Sequence, residues 1–151
     1  MLKSIDPLLN ADVLHALASM GHGDDLVIVD ANFPTDSVAR YTSVGRVLTI
    51  DNVSAPRAAR AILSLLPLDT FVEYPARRME VVDKPDDVPL VQAEVQKEID
   101  AAEGKLSPMG SIERFAFYDI ARKAYCVIQT GERRFYGCFV FKKGVIPPDG
   151  T

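Results

Sequence analysis

The sequence predicts an α/β fold: a single layered α/β/α domain with a mixed, partly parallel sheet and a C-terminal hairpin. Three observations support this prediction. Helical and strand-like segments alternate through the first half of the chain, as in layered α/β domains. The run Leu26–Val29 is continuously apolar, which is typical of a strand buried on both faces. Near the C-terminus, strand-like segments 124–129 and 135–141 flank the turn Thr130-Gly131-Glu132 and predict the hairpin.

The first helix is expected over residues 7–20 and the first strand over residues 26–29. Asn10 is a suitable N-cap for this helix, and apolar residues recur after it at helical spacing. Gly21 follows the last of these apolar residues, where helices often end on a glycine in the left-handed conformation.

The next elements continue the alternation. Residues 34–41 predict a loop or a short helix, and residues 46–50 predict a second strand. Ser54-Ala55-Pro56 then opens a helix, because serine is a good N-cap and proline is tolerated in the first turn.

The second half of the chain has a less regular pattern. Short apolar runs predict strands over 71–74 and 79–82. Residues 83–89 are polar and rich in proline, so we expect a surface connection there. Two more helices are expected over 90–102 and 113–123, with a loop at 107–110 between them.

The size and composition are those of an ordinary globular protein. The chain has 151 residues, of which 48% are apolar and 25% charged. This length suits one domain, residues 1–151, with a core that needs no disulfide or metal. The net charge of −4 argues against nucleic acid as a partner.

The expected compartment is the cytoplasm. No apolar run approaches the roughly 18 residues of a membrane helix, and the first residues lack the apolar segment of a signal peptide. The two cysteines, Cys126 and Cys138, lie in apolar segments, which suits a reducing compartment. We therefore expect a soluble, cytoplasmic protein that does not bind a membrane.

His22 lies between two glycines, directly before the apolar strand. Small neighbours let a ligand approach the backbone closely, and imidazole is the side chain best suited to proton transfer near neutral pH. A histidine in a helix-ending turn is the structural alternative. The only other histidine, His15, is expected on the first helix, beside its apolar face or in solvent.

Asp30 follows the apolar strand directly. Ligands of open α/β sheets collect outside the carboxyl ends of the strands. This carboxylate is therefore placed to accept hydrogen bonds from sugar hydroxyls or to hold a histidine. It is equally suited to an Asx-type turn, and its spacing from His22 does not say whether the two meet.

Arg114 and Tyr118 are four residues apart, so they share one face of their predicted helix. A guanidinium and a phenol on one face can bind a polyol, or they can form an ordinary surface pair.

Tyr136-Gly137-Cys138 lies in the last predicted strand. A glycine inside a strand marks close approach of a backbone or ligand, or a bulge. A cysteine acts as a nucleophile only with a base beside it, and the sequence supplies none next to Cys138.

Motifs for cofactor and metal chemistry are absent from the sequence. It has no phosphate-binding glycine loop, no His-Glu-x-x-His and no Gly-x-Ser-x-Gly. Two histidines on different elements make a poor metal site. We expect no cofactor and no metal.

Several motifs, in order from Leu2 to Val145, resemble those of the D-ribose pyranase and L-fucose mutarotase family. They are Met-Gly-His-Gly-Asp at 20–24, Asp-Ala-Asn-Phe-Pro at 30–34, Arg-Phe-Ala-Phe-Tyr at 114–118, Thr-Gly-Glu-Arg at 130–133, Tyr-Gly at 136–137 and Lys-Lys-Gly-Val at 142–145. The motifs at 114–118 and 130–133 make the chain more similar to the fucose branch.

The resemblance implies a cytoplasmic isomerase of α/β fold that uses no cofactor and forms a ring, commonly a homodecamer. Its substrate would be a monosaccharide, L-fucose or a related sugar, whose anomers interconvert by acid–base ring opening and closing. His22 matches the catalytic acid of the family. Asp30 and Arg114 match sugar-binding positions, and Tyr118 or Tyr136 is a candidate to relay the second proton.

Tyr136, Gly137 and Cys138 match the family's Tyr-Gly-Asn substrate-binding segment, with one departure. Cys138 stands where the pattern has asparagine, and a thiol is a weaker hydrogen-bond partner than an amide. Two alternatives therefore stand beside the mutarotase. They are a D-ribose pyranase-type ring-size isomerase and a sugar-binding or regulatory protein without catalysis.

Overall fold

A computed structural model describes residues 1–150; Thr151, the last residue of the predicted domain, lies outside the described residues. The helices and strands follow one another in the order α1 (Ala11–Ser19), β1 (Asp25–Val29), α2 (Thr35–Ala39), β2 (Leu48–Ile50), α3 (Ala55–Leu63), β3 (Ala76–Met79), α4 (Leu90–Glu103), β4 (Gly110–Ile112), α5 (Arg114–Lys123), β5 (Cys126–Thr130) and β6 (Phe139–Lys142). Within residues 1–150, no helix has the length and apolar character needed to cross a membrane.

The strands form one six-stranded sheet in the order β2-β5-β1-β6-β3-β4. β1 pairs in parallel with β5, β5 with β2, and β3 with β4. β6 is antiparallel to both of its neighbours, β1 and β3. The other five strands therefore share one direction, and their carboxyl ends lie at the edge where β6 begins. The prediction of a mixed, partly parallel sheet is confirmed.

Helices cover both faces of the sheet, which confirms the layered α/β/α prediction. Leu26 and Ile28 of β1 face a core formed with α1, α3 and α4. Val27 and Val29 face the opposite core, formed with α2 and α5. All four side chains are fully buried, which explains why this strand is continuously apolar rather than alternating.

The turn between α1 and β1 differs in detail from the prediction. Asn10 does cap α1, since its side chain accepts a hydrogen bond from the Val13 N–H at 3.0 Å. Gly21, however, is not left-handed; Gly23 is, with φ +87°. The reason is the Asp24 carboxylate, which accepts from the Gly21 N–H at 2.7 Å and closes a turn that places the positive φ two residues later.

The predicted C-terminal hairpin is wrong. β5 and β6 lie on opposite sides of β1 and do not pair with each other. After β5 the chain crosses the end of β1, where the Ala31 N–H donates to the Glu132 carbonyl at 2.8 Å. The Thr130 hydroxyl donates to the Val29 carbonyl at 2.9 Å. A central strand buried on both faces needs a partner along each edge, and this requirement overrides the short connection between β5 and β6.

The short strands of the second half are also shifted from their predicted places. Residues 71–73 form bends and residue 74 is irregular, so no strand lies there. The strand predicted at 79–82 lies at 76–79 as β3. The loop predicted over residues 107–110 leads directly into β4, which begins at Gly110. β3 was missed because Arg77 and Arg78 give it a polar sequence, whereas its position is set by backbone pairing with β6 and β4.

Candidate functional site

A cavity of about 210 Å³ opens at the carboxyl edge of the sheet. Its walls come from the ends of β1 and β3, the first two turns of α5 and the segment before β6. Five residues singled out from the sequence line it: Asp30, Arg114, Tyr118, Tyr136 and Cys138. Gly137 joins the last two, so the structure brings the predicted binding residues together.

The Asp30 carboxylate organises the base of this cavity. It is 5% exposed, and its Oδ1 accepts from the Asn32 and Phe33 N–H groups at 3.0 and 3.1 Å. Its Oδ2 accepts from the Gly137 N–H at 3.2 Å and from the Cys138 thiol at 3.5 Å. Asp30 therefore closes an Asx-type turn and also fastens the segment before β6 to the end of β1.

The Cys138 thiol is a buried donor rather than a nucleophile. Burial raises its pKa well above the ordinary value, and the neighbouring Asp30 charge adds to this effect. The thiol therefore keeps its hydrogen and directs it at Asp30. It offers the cavity no strong donor or acceptor of its own.

Gly137 is required by close packing. A Cβ at this position would lie 2.9 Å from Glu132 Cγ and 3.4 Å from Asp30 Cβ. Glu132 cannot move aside easily, because its buried carboxylate accepts from the Ala55 N–H and from Arg134. Burial alone would raise the pKa of Glu132, but these hydrogen bonds lower it to about 2.

Arg114 and Tyr118 form one wall of the cavity. The Arg114 Nε donates to the Tyr118 hydroxyl at 3.1 Å, and the guanidinium lies 5.7 Å from the centre of the Tyr118 ring. That ring in turn packs against Phe33 at 5.4 Å between centroids. The pair thus presents a cation and an aromatic face at the mouth of the cavity.

Tyr136 has an unusual backbone conformation. Its φ is +62°, a left-handed value that is uncommon for residues other than glycine. Its hydroxyl accepts a hydrogen bond from the Val82 N–H at 3.3 Å. Such conformations persist where the surroundings enforce them, and they cluster at binding sites.

The cavity is also lined by four residues that the sequence did not single out: Asn32, Phe33, Met79 and Phe135. Asn32 and Phe33 lie in the turn after Asp30, so the strand-end rule would have included them. Met79 and Phe135 reach the cavity only through the register of β3 and the path before β6, for which the sequence has no local signal.

His22 lies at the opposite edge of the sheet from this cavity. His22 precedes β1, whereas Asp30 follows β1. Five strand steps of roughly 3.3 Å put Asp25 and Asp30 about 17 Å apart. The structure therefore does not bring His22 to Asp30 within one chain, and the histidine side chain is 43% exposed.

His22 is held by a buried carboxylate. Its Nε2 lies 3.0 Å from Asp69 Oδ1, and its ring lies 5.2 Å from that of Phe71. Burial alone would raise the pKa of Asp69, but hydrogen bonds from the Phe71 N–H and from His22 lower it. An ionised carboxylate can only accept, so Nε2 carries the hydrogen and Nδ1 is left to exchange a proton.

Asp69 is the functional candidate that the sequence missed. It is 47 residues from His22, in a connection with no recognisable motif. A buried aspartate without a cationic neighbour in sequence is not distinguishable from a surface residue until the fold is known. Among residues 1–150, no group of three or more His, Cys, Asp or Glu side chains is arranged to hold a metal ion.

Known proteins that are similar to this chain form a consistent group. Residues 3–146 match the model of the RbsD / FucU transport protein family. The fucose mutarotase of Danio rerio is 43% identical, over 99% of this chain and 97% of that protein.

Solved structures agree with this assignment. The crystal structure of protein Atu2016 matches with a TM-score of 0.96 at 69% identity, covering 97% of both chains. The fucose mutarotase of Streptococcus pneumoniae, solved in complex with L-fucose, matches with a TM-score of 0.86 at 34% identity, covering 97% of this chain and 100% of that one. Since both sequence and fold match over nearly the whole length, the chain belongs to the RbsD/FucU family.

Proposed function

We propose that this single-domain protein is an isomerase that interconverts the anomers of L-fucose or a closely related monosaccharide. The observation that carries the proposal is the cavity at the carboxyl edge, in a chain 43% identical to a fucose mutarotase. The cavity volume of about 210 Å³ is below the roughly 300–1,000 Å³ of pockets for drug-sized ligands, so it suits one small molecule. Aromatic faces and the Arg114 guanidinium provide the contacts that a polyol ring requires.

The reaction needs two proton transfers and no redox partner. A proton goes to the ring oxygen while another leaves the anomeric hydroxyl. The bond between the anomeric carbon and the ring oxygen breaks, and a free aldehyde forms. Rotation and closure on the other face reverse these transfers. His22 is proposed as the acid–base group acting through Nδ1, because Nε2 is held by Asp69. Tyr118 and Tyr136 are the candidates for the second transfer.

The separation of His22 from the cavity supports a site shared between two copies of the chain. A histidine at one edge of the sheet can serve a cavity at the other edge only if it comes from a neighbouring subunit. Contacts between different surfaces of identical chains form a ring when the rotation between neighbours closes. We therefore propose a homo-oligomeric ring, with a decamer as the expected size.

Exposed apolar side chains at both ends support this contact. Phe71, whose ring lies beside that of His22, is 72% exposed, and Tyr74, in the same connection before β3, is 42% exposed. Phe115 and Phe135, beside the cavity, are 67% and 74% exposed. Exposed aromatic groups of this kind are typical of protein interfaces. Sedimentation of the purified protein should give a mass several times that of the 16.6 kDa chain, and a monomer would contradict the ring.

The proposed location is the cytoplasm. Cys126 and Cys138 are both free and buried, as expected for a protein that folds in a reducing compartment.

Saturation-transfer NMR with a panel of sugars tests the proposed function. Irradiation of one anomeric proton of L-fucose should transfer saturation to the other anomer faster with protein than in buffer. Faster exchange of D-ribose than of L-fucose would instead favour the ring-size isomerase. Sugar binding without any exchange would indicate a binding protein.

Replacing Asp69 with asparagine should lower the exchange rate by roughly tenfold or more. The neutral amide removes the charge that fixes the hydrogen on Nε2 of His22, and hydrogen bonds involving a charged group are about twice as strong as neutral ones. Exchange rates at saturating sugar measure the effect. Asp24→Asn is the matched control, because Asp24 caps the same turn without contacting the His22 ring. Equal losses in both variants would contradict the role given to Asp69.

Replacing Cys138 with asparagine should change the ratio of the L-fucose and D-ribose exchange rates by about tenfold, since a site that hydrogen-bonds a sugar hydroxyl discriminates more strongly than one that does not. The new amide brings a donor and an acceptor to a position that lines the cavity. Cys126→Ser is the control, because Cys126 is buried in the other core. An unchanged ratio in Cys138→Asn would show that this position does not select the sugar.

A further inference from the structure

Gln92 is a fully buried polar side chain that the proposed mechanism does not use. It lies on the first turn of α4, between the apolar residues that face the core, and its exposure is 0%. It does not line the cavity. A buried amide is unfavourable unless it is hydrogen-bonded, so its partners indicate why a glutamine occupies an otherwise apolar face.

All the hydrogen-bonding groups of this amide are used. Nε2 donates to the Met79 carbonyl at 2.7 Å and to the Tyr136 carbonyl at 3.0 Å. Oε1 accepts from Arg78 Nη1 at 3.2 Å. Two carbonyls can be served only by the NH₂ group and a guanidinium only by the oxygen, so the orientation of the amide is determined by its partners.

The amide acts where the ladder between β3 and β6 ends. Met79 is the last residue of β3, and its N–H still donates to the Cys138 carbonyl at 3.1 Å. Tyr136 lies two residues further from β6, with its φ of +62°. Beyond this point the two segments no longer pair, and Gln92 donates to the carbonyls of Met79 and Tyr136 instead. Both residues line the cavity.

Tyr136 is therefore held from three directions. Gln92 binds its carbonyl, Asp30 binds the N–H of the following Gly137 at 3.2 Å, and the Val82 N–H binds its hydroxyl at 3.3 Å. Arg78 connects the restraint from Gln92 with the restraint from Val82. It binds Gln92 and also donates to the Pro85 and Asp87 carbonyls, in the connection that carries Val82.

We propose that Gln92 is a positioning residue for the sugar site: its buried amide holds Tyr136 in the left-handed conformation that places the phenol in the cavity. Only the expected effect on KM and kcat rests on the proposed function; the structural role of Gln92 does not. Gln92 acts through Tyr136, touches no substrate and carries no proton in the reaction. Its removal is therefore expected to weaken sugar binding more than the chemical step, for which His22 and Tyr118 keep their places.

The test compares Gln92→Met with Gln96→Met. Methionine keeps the length and volume of glutamine but leaves both carbonyls without a donor. Gln96 is the matched control, one turn later on α4. Its amide also makes three hydrogen bonds, to Asp100, Ser107 and Met109, all away from the cavity. Saturation-transfer NMR at several L-fucose concentrations gives KM and kcat separately for each variant.

Gln92→Met is expected to raise KM about tenfold with a smaller change in kcat, and Gln96→Met to leave KM unchanged. Equal changes in KM in the two variants, or none in folded Gln92→Met, would overturn the proposal. If Gln92→Met does not fold, Gln92→Glu replaces it: the carboxylate keeps the shape and the acceptor for Arg78, loses both donors, and carries a charge that Arg78 can pair with.

The amide signal of Gly137 supplies a readout that does not depend on activity. If Gln92 holds this segment, the Gly137 ¹H–¹⁵N signal shifts and its hydrogen exchange accelerates in Gln92→Met but not in Gln96→Met. An unshifted signal with unchanged exchange would overturn the proposal even if the wild-type protein showed no mutarotation. Absence of mutarotation in the wild type would count against the proposed function alone.

Discussion

Replacing His22 with alanine is expected to slow the protein-catalysed exchange of L-fucose anomers by about 10²- to 10⁴-fold, the usual contribution of a positioned acid–base group. Imidazole is the side chain best suited to give and take a proton near neutral pH. Its Nε2 is bound to Asp69 at 3.0 Å, so Nδ1 acts on the sugar. Saturation-transfer NMR measures the rate directly.

His15→Ala is the matched control for this variant. His15 is the other histidine of the chain, exposed on α1. Its replacement should leave the rate unchanged. A loss of less than threefold in His22→Ala, or a similar loss in both variants, would rule out His22 as the proton-transfer group.

Mixing two inactive variants should restore activity if the site is shared between copies. We expect His22→Ala and Arg114→Ala each to be nearly inactive alone, since one lacks the acid–base group and the other the guanidinium at the cavity mouth. When the two are co-expressed and assemble at random, about one site in four receives His22 from one chain and Arg114 from its neighbour. Recovery of about a quarter of the wild-type rate is therefore expected.

The control is a chain that carries both substitutions and is expressed alone. Its assemblies contain no intact site. If the mixed assembly is no more active than this double variant, each chain builds its site alone. That result would also require a rearrangement within one chain, because β1 separates His22 from Asp30.

The parts of the fold that local pattern determines could be predicted from the sequence. Leu26–Val29 identifies the central strand because a strand buried on both faces must be apolar throughout. Asn10 marks the start of α1 because its side chain satisfies a free backbone N–H. β3 and the position of β6 could not be predicted, since they depend on which strands pair, and pairing joins residues far apart in sequence.

The candidate site shows the same division. For Asp30, the end of a buried strand left a ligand residue and an Asx-type turn open, and for Arg114 and Tyr118 the shared helix face left a polyol-binding pair and a surface pair open. The family resemblance then assigned sugar binding to Asp30 and Arg114. Asp69 and Gln92 could not be predicted. Each acts through a single hydrogen-bonded contact that only the tertiary structure creates: Asp69 with His22, and Gln92 with Tyr136.

The central claim is that this protein accelerates the interconversion of sugar anomers. The most direct measurement is the exchange rate between the α and β anomeric protons of L-fucose, by saturation transfer, with and without the wild-type protein. We predict a rate that rises linearly with protein concentration and returns to that of buffer after heat denaturation. A rate equal to that of buffer at every protein concentration, for L-fucose and for D-ribose alike, would contradict the claim.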